Sequence, residues 1–206
     1  MAEKNSTPPS PEQIRRGRKI ALLLFAVGFG PMLLATVMYY TGWFNPTDYS
    51  NNGQLIQPAV PVAQLGLISA NGSPLAARFG PERENAEWLM LVAAQDCKAD
   101  CEKLLYLARQ VNIALGKNAD RMNRAAYLEQ MPAELQARWP SEYATMERLT
   151  SDGQAPAWSS EVRPNRAPVL LLVDPFGNVM MRYDSRHSGK DMLKDLKHLM
   201  KLSQIG

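Results

Sequence analysis

The chain has 206 residues and contains two cysteines, Cys97 and Cys101, in the stretch QDCKADCEKLL. Two thiols four residues apart can close into a disulfide, exchange disulfides with a partner, or supply soft thiolate ligands to a metal such as Cu(I). Their compartment decides which chemistry is open to them, because disulfides persist in oxidising compartments and thiols stay reduced in the cytosol. The rest of the sequence must therefore identify the compartment.

Residues 20–44 contain no charged side chain and are about as long as a helix that crosses the roughly 30 Å hydrocarbon core of a bilayer. A basic cluster at residues 15–19 precedes the run, and aromatic side chains fill its far end. This pattern favours a retained transmembrane helix over a cleaved signal peptide, whose apolar region is usually shorter. The positive-inside rule then makes the N-terminus cytoplasmic. In a bacterial inner membrane the remainder lies in the oxidising periplasm.

The sequence predicts four segments, namely a proline-rich disordered tail at 1–19, the transmembrane helix at 20–44, a turn-rich linker at 45–52 and one globular domain at 53–206. Basic and acidic residues balance over residues 44–206, so the net charge of +3 belongs to the N-terminal tail and its membrane-flanking cluster. The domain therefore lacks the basic footprint of a nucleic-acid-binding protein, and no nucleic acid is expected as a partner.

Hydrophobic patterning predicts alternating strands and helices in the domain. Apolar runs at 88–94 and 168–174 are typical of strands buried on both faces of a sheet, and the second continues through a turn into a strand at 179–183. Helical spacing follows the cysteines from residue 102 to about 117 and returns at the C-terminus after Ser188. The cysteines therefore lie between a buried strand and the helix that follows it.

Two other regions give weaker patterns. Residues 54–70 mix β-branched residues with prolines, and the Asn71-Gly72 pair that follows predicts a hairpin at an edge of the sheet. In the middle of the domain, residues 124–128 resemble a strand, and residues 132–149 have helix-like apolar spacing. The predicted element order is a strand, the cysteine pair, a helix, this middle region, two strands and a final helix.

This order and the motif spacing resemble a thioredoxin-like domain, and more closely the Sco/SenC family of membrane-anchored cytochrome c oxidase assembly proteins. The resemblance covers about residues 53–202 together with the N-terminal anchor. It implies an α/β thioredoxin-like fold preceded by a single transmembrane helix. Four pieces carry it: the stretch GQLIQP at 53–58, the strand from Trp88 into Cys97-x-x-x-Cys101, the turn VDPFGN at 173–178, and the terminal helix.

In that family two cysteines and a histidine upstream of the penultimate strand bind copper, and the proteins help to mature the copper site of oxidase subunit II. Alignment on the strand LLLVDP places Arg166 where that histidine is expected. The resemblance therefore implies copper ligands at Cys97 and Cys101 without the third ligand. His187 is the candidate replacement, because its loop follows the last strand and returns to the end of the sheet that carries the cysteines.

The same resemblance places Ala167-Pro168 where a thioredoxin fold carries the cis-proline that faces its active cysteines. A cis Pro168 is therefore expected, and a trans proline at the start of a strand is the alternative. Cys97, in an exposed loop, is the candidate attacking thiol, and Cys101 in the first helical turn would resolve the mixed disulfide. The negative charges of Asp96, Asp100 and Glu102 next to the cysteines disfavour a thiolate. A strongly oxidising cysteine pair is therefore not expected.

Three functions remain open from the sequence. The first is a membrane-anchored thiol–disulfide oxidoreductase or assembly factor in cytochrome c oxidase biogenesis, with an oxidase subunit or another assembly factor as partner. The second is a copper chaperone that uses the cysteine pair. The third is a non-enzymatic, membrane-tethered scaffold with a structural disulfide, in which the segment 129–162 with Trp139 and Trp158 docks a partner.

Overall fold

The computed structural model describes residues 10–42, 51–82, 87–153, 158–164 and 167–203. The chain divides into two compact units, Met1–Tyr49 and Ser50–Gly206. In the described residues, the first unit is one helix, and the second is a seven-stranded sheet with three helices and short 3₁₀ turns.

Helix α1 spans Pro11–Thr41. A capping box fixes its start, because the backbone N–H of Gln13 donates to Ser10 Oγ and the backbone N–H of Ser10 donates to Gln13 Oε1. Residues 11–19, predicted as part of a disordered tail, are therefore helical. The helix is long and apolar enough to cross a membrane. Of the aromatic residues predicted at its far end, Tyr39 and Tyr40 lie in the last turn of the helix and are exposed, whereas Trp43 and Phe44 lie outside the described residues.

The sheet of the second unit contains both parallel and antiparallel strands. In sheet order the strands run β1-β7-β6-β3-β4-β5-β2. The central strands β3, β4 and β5 are parallel to one another, and the other pairs are antiparallel. The strands are β1 Gln54–Pro61, β2 Leu67–Ile68, β3 Trp88–Asp96, β4 Met122–Gln130, β5 Glu147–Ser151, β6 Val169–Val173 and β7 Asn178–Tyr183.

Three helices cover one face of the sheet, namely α2 Ala99–Ala114, α3 Ala133–Glu142 and α4 Gly189–Leu202. Met90 of β3 packs in an apolar cluster with side chains of all three helices, and both cysteines belong to this cluster. Leu91, the next residue, packs in a second cluster on the opposite face, with side chains of β1 and of two 3₁₀ turns. Strand β3 is thus buried on both faces, as its continuous apolar run predicts.

The strongest sequence patterns predicted these elements correctly. The run at 88–94 lies in β3, and the run at 168–174 contains β6, which turns into β7 at Asp174. Asp174 stabilises this turn by accepting hydrogen bonds from the backbone N–H groups of Phe176 and Asn178 at 2.9 and 2.8 Å. Helices α2 and α4 also lie where the apolar spacing placed them, within a few residues at each end.

The predicted N-terminal hairpin forms only at its turn, where a single antiparallel bridge joins Ile68 to Pro74, and the long strand before it is not continuous. Strand β1 pairs with β7 at one edge of the sheet, whereas β2 pairs with β5 at the opposite edge. A 3₁₀ turn at Val62–Leu65 and the left-handed Gly66 carry the chain between them. The turn at Asn71-Gly72 does form, with the N–H of Gly72 donating to the carbonyl of Ser69. In the middle region, the helix predicted over 132–149 ends at Glu142, and β5 begins at Glu147 after a short turn.

A buried carboxylate ties the start of the domain to its last helix. Asp195 of α4 is 4% exposed. It accepts hydrogen bonds from the backbone N–H groups of Asn52 and Gly53, from Asn52 Nδ2 and from the Tyr183 hydroxyl, at 2.7 to 3.1 Å. Burial raises the pKa of Tyr183, and the negative charge of Asp195 raises it further. The Tyr183 hydroxyl therefore stays protonated and donates to Asp195.

Gly53 lies where the chain meets this network, and it has no room for a side chain. A Cβ at this position would overlap the ring of Tyr183 and lie 2.9 Å from Met181 Sδ. Tight packing therefore begins at the predicted domain start, and the hydrogen-bonded structure already includes Asn52 of the predicted linker 45–52. Linker residues 45–50 are outside the part of the chain that the structure describes.

Candidate functional site

Cys97 and Cys101 form a disulfide at the junction of β3 and α2, with their Cα atoms 5.0 Å apart. Cys97 follows β3, and Cys101 lies in the first turn of α2, as predicted. Both residues are buried, at 1% and 0% exposure, so the prediction of an exposed Cys97 is wrong. The reason is that both disulfide-bonded sulfurs pack into the apolar cluster between the sheet and the helices.

A cleft of about 320 Å³ lies beside the disulfide. Cys101 and Pro168 both line it, so the structure brings these two predicted site residues together. Cys97 is not among the described residues that form its wall. The other described lining residues are Gln95, Asp96, Lys98, Ala99, Asp100, Pro164 and Ala167.

Pro168 lies immediately before β6, the strand that pairs with β3. Among the described residues the one cis peptide bond is Gln57–Pro58, and the Ala167–Pro168 bond is trans. The expected cis Pro168 is therefore wrong, and the bond follows the general preference of about 95% of X-Pro bonds for trans. Arg166, predicted to replace the copper-binding histidine, lies outside the described residues.

The rim of the cleft carries charges of both signs. Lys98 Nζ lies 2.7 Å from Asp96 Oδ2, and this carboxylate raises the pKa of Lys98. Glu102 pairs with Arg138 of α3 at 2.8 Å, while Asp100 lines the cleft itself. Two of the three carboxylates near the cysteines thus have a cationic partner. The negative charge that the sequence places around the pair is partly compensated.

The N-terminus of α2 supplies the other electrostatic feature of the site. N–H groups in the first turn of a helix have no partner within the helix, and the N-cap residue Lys98 makes no side-chain cap. These groups and the helix dipole stabilise negative charge at the helix start. A thiolate formed at Cys101 on reduction therefore gains stabilisation that opposes the effect of the nearby carboxylates.

His187 does not join the cysteines in a ligand group. Its Nδ1 lies 3.0 Å from Asp184 Oδ1, and its ring packs edge-on against Tyr183 with 5.4 Å between centroids. The loop does reach α2, because Lys103 Nζ donates to the carbonyl of Ser185 at 2.6 Å. Within the described ranges, no three side chains from His, Cys, Asp and Glu are grouped as metal ligands. The proposed replacement ligand is thus engaged elsewhere.

Comparison with known protein families identifies the family to which this chain belongs. A family model described as "Transmembrane-like, thioredoxin-like, C-terminal domain" matches residues 88–203, which is more than half of the chain. The chain belongs to this family. A companion model, "Transmembrane-like, N-terminal domain", matches residues 11–42 and coincides with α1. The helix and this match together indicate an N-terminal membrane anchor. No curated protein matches the sequence.

Solved structures match the domain of this family member at low sequence identity. The copper-bound structure of yeast Sco1 has a TM-score of 0.50 and 12% identity, covering 75% of this chain and 94% of that one. Copper-bound ScoI of Bradyrhizobium japonicum has a TM-score of 0.45 and 17% identity, over 71% and 98%. A Chlorobium tepidum protein assigned as the thiol:disulfide interchange protein DsbE has 0.45 and 13%, over 76% and 99%. The yeast likeness and the family model confirm the predicted thioredoxin-like fold.

The two tryptophans predicted for a docking surface are core residues. Trp139 of α3 packs against Tyr143 with 5.1 Å between ring centroids, in the cluster that holds the cysteines. Trp158 packs against Tyr127 at 5.7 Å, in the cluster on the opposite face. Both tryptophans are buried and are not available to a partner.

Sequence analysis missed Asp195, the buried carboxylate of α4. Its signal was present, because Asp195 lies three residues after Met192 and one before Leu196, both of which are buried. A carboxylate on the apolar face of an amphipathic helix is rarely buried without partners. Its partners Asn52 and Gly53 are more than 140 residues away in sequence, which is why the pattern of the helix alone did not reveal them.

Proposed function

We propose that this chain is a membrane-anchored thiol–disulfide oxidoreductase that acts on the thiols of a respiratory oxidase subunit during the assembly of the copper site of cytochrome c oxidase. The observation that supports it is the Cys97–Cys101 disulfide at the β3–α2 junction, with Cys101 on the wall of a cleft. A purely structural role explains the pair less well. A disulfide that closes so short a loop contributes only about 2 kcal/mol by the loop-entropy account.

The exchange proceeds through a mixed disulfide. A partner thiolate in the cleft attacks Cys101 Sγ, a new S–S bond forms to the partner, and Cys97 leaves as a thiolate. Cys101 is assigned as the attacked residue because it lines the cleft, whereas Cys97 does not. Both cysteines are buried in the closed disulfide, so the attack requires the cleft wall to open around Cys101. This assignment reverses the roles predicted from the sequence, in which an exposed Cys97 made the first contact.

A second partner thiol completes the reaction by attacking the mixed disulfide and releasing Cys101 as a thiolate. The N-terminus of α2 stabilises that leaving group. In total the partner loses two electrons and two protons and becomes a disulfide, and the Cys97–Cys101 pair becomes a dithiol. Pro168 and Ala167 contribute to the surface of the cleft in which the partner binds.

The same proposal places the domain in the bacterial periplasm. The basic residues Arg15, Arg16, Arg18 and Lys19 precede the apolar part of α1, and such clusters remain on the cytoplasmic side. The domain then faces an oxidising compartment, in which a disulfide persists. A fusion of a periplasm-active reporter to the C-terminus is expected to be active, and activity of a cytoplasm-specific reporter there would contradict this orientation.

The deciding experiment is redox equilibration of the full chain in detergent against defined glutathione ratios, followed by thiol trapping and mass spectrometry. We expect a reversible transition with a midpoint above about −300 mV, the range of labile disulfides. Cys97→Ser should leave a Cys101 thiol that forms a mixed disulfide with glutathione, and Cys101→Ser should leave a Cys97 thiol that reacts more slowly. A pair that stays closed at every ratio would instead support the scaffold hypothesis.

Copper handling is the second candidate function. Cys97 and Cys101, once reduced, supply two soft thiolates, which suit Cu(I), and the yeast structure with a similar fold is copper-bound. Competition for Cu(I) with a chromophoric chelator tests it on the reduced full chain. Binding of one Cu(I) that is lost in the double serine variant would support copper handling. His187→Ala should leave the affinity unchanged, because His187 is paired with Asp184.

A further inference from the structure

Helix α4 presents a row of lysines on its outer surface. At about 100° per residue, side chains at successive spacings of four, three and four lie close to one line along a helix. All four lysines are exposed, and none forms an ion pair with an acidic residue in the described part of the chain. This lysine stripe consists of Lys190, Lys194, Lys197 and Lys201.

A groove of about 340 Å³ adjoins the lysine stripe. Three lysines of the stripe line the groove, together with the apolar side chains of Met181 and Leu199. Asp195 lines it as well, but its carboxylate is bound by the N–H groups of Asn52 and Gly53 and by the Tyr183 hydroxyl. Ammonium groups around a partly apolar groove match a phospholipid, whose phosphate is anionic and whose glycerol and acyl chains are apolar. Because basic and acidic residues balance over residues 44–206, the stripe is a local excess of positive charge rather than part of a generally basic surface.

The chain itself brings a lipid surface within reach of the groove. Asn51 lines the groove, and eight residues, 43–50, separate it from Gly42 at the end of the membrane anchor α1. Nine residue steps span at most about 32 Å, even when fully extended. We propose that the lysine stripe and its groove bind anionic phospholipid headgroups at the surface of the membrane in which α1 is anchored. This proposal does not rest on the function proposed for the cysteines.

The test uses the full chain in two kinds of nanodisc, one of phosphatidylcholine alone and one that also contains phosphatidylglycerol. Lysines are acetylated with an uncharged N-hydroxysuccinimide ester, and the rate at each lysine is read by mass spectrometry. Lys98, whose side chain is 82% exposed beside the cleft, serves as the internal reference. We expect phosphatidylglycerol to slow the labelling of the stripe lysines about fivefold relative to Lys98. This factor corresponds to the attraction of one lysine, about 1 kcal/mol, to an anionic surface, and high salt should restore the original labelling rate.

Two variants separate charge from the particular side chains. In Lys194→Gln/Lys197→Gln/Lys201→Gln, the remaining Lys190 should lose its lipid-dependent protection. The matched variant with arginine at the same three positions keeps the charge and should keep the protection of Lys190. Equal labelling rates in both nanodiscs would overturn the proposal. The proposal would also be overturned if the stripe lysines were protected only after addition of soluble poly-glutamate and not by phosphatidylglycerol. The stripe would then bind an acidic protein partner.

Discussion

Gly53 is held against the ring of Tyr183 and against Met181 Sδ, at the point where the chain enters the domain. We expect Gly53→Ala to lower the free energy of unfolding by about 1–3 kcal/mol, because the added methyl group forces this packing apart. Chemical denaturation followed by circular dichroism measures the loss.

A double-mutant cycle tests the cause of that loss. In a Tyr183→Ala background the ring that meets the new methyl group is absent, so Gly53→Ala should cost clearly less there than in the wild type. Additive effects of the two substitutions would show that the overlap with Tyr183 is not the reason.

Asp184 makes the stability of the β7–α4 loop depend on pH. Arg186 donates hydrogen bonds to its carboxylate and lowers the pKa of Asp184 from 3.8 to about 2, and His187 adds to the effect. A lowered pKa means that ionised Asp184 stabilises the fold above its ordinary pKa, and that this contribution is lost as the pH falls towards 2.

We therefore expect Asp184→Asn to destabilise the protein at neutral pH by about 1 kcal/mol, a modest value because Arg186 is solvated. The difference from wild type should shrink as the pH falls from about 4 to about 2. Unfolding midpoints across this range test it. Arg186→Gln should reproduce much of the effect, and a difference independent of pH would contradict the ionic explanation.

At the scale of elements, α4 depends on its first turn. Ser188 Oγ accepts from the backbone N–H of Asp191, and the Asp191 carboxylate accepts from the backbone N–H of Ser188 in return. We expect Ser188→Ala to lower the free energy of unfolding by about 1 kcal/mol, because the helix loses its N-cap. Urea titration measures it. Ser185→Ala, in the same loop but outside the cap, should change stability by less than about 0.5 kcal/mol.

The sequence predicted the elements whose signal is local. Strands β3 and β6 are continuous apolar runs, and α4 has a cap and an apolar face, so each could be recognised without knowing its neighbours. The pairing of β1 with β7 and of β2 with β5 could not, because strand partners distant in sequence leave no trace in a short pattern. Strand β5 was missed for the same reason, since its five residues pair with strands elsewhere in the chain.

The candidate site shows the same division. The position of Cys97 and Cys101 between β3 and α2 follows from the element order and was predicted, and the placement of Pro168 near them was inferred from the resemblance to a thioredoxin fold. The burial of Cys97 was not predicted, because it depends on an apolar cluster that combines side chains from the sheet and from three helices distant in sequence. The trans bond before Pro168 was not predicted either, because it was inferred from a resemblance rather than from the residues themselves.

At the scale of the whole molecule, the chain consists of two compact units, Met1–Tyr49 and Ser50–Gly206. The second unit has apolar clusters on both faces of its sheet, and none of their members comes from α1. We expect residues 50–206 produced alone to be soluble and to unfold in one cooperative transition. Size-exclusion chromatography and thermal denaturation test this, with the full chain in nanodiscs as the control. Aggregation of the fragment, or a much lower midpoint, would show that the domain needs its anchor.

The hydrogen bonds to Asp195 determine where mechanical load enters the domain. Any tension along the chain from the anchor arrives first at Asn52 and Gly53, whose N–H groups are bound to this carboxylate. The load therefore passes into α4 and, through the neighbouring β1–β7 pair, into the edge of the sheet. The central strand β3, which leads to the disulfide, lies two strands further in than β7. A tethered domain held in this way takes the pull of its membrane through α4 and the β1–β7 edge of the sheet, and α4 packs in the same apolar cluster as the cysteines.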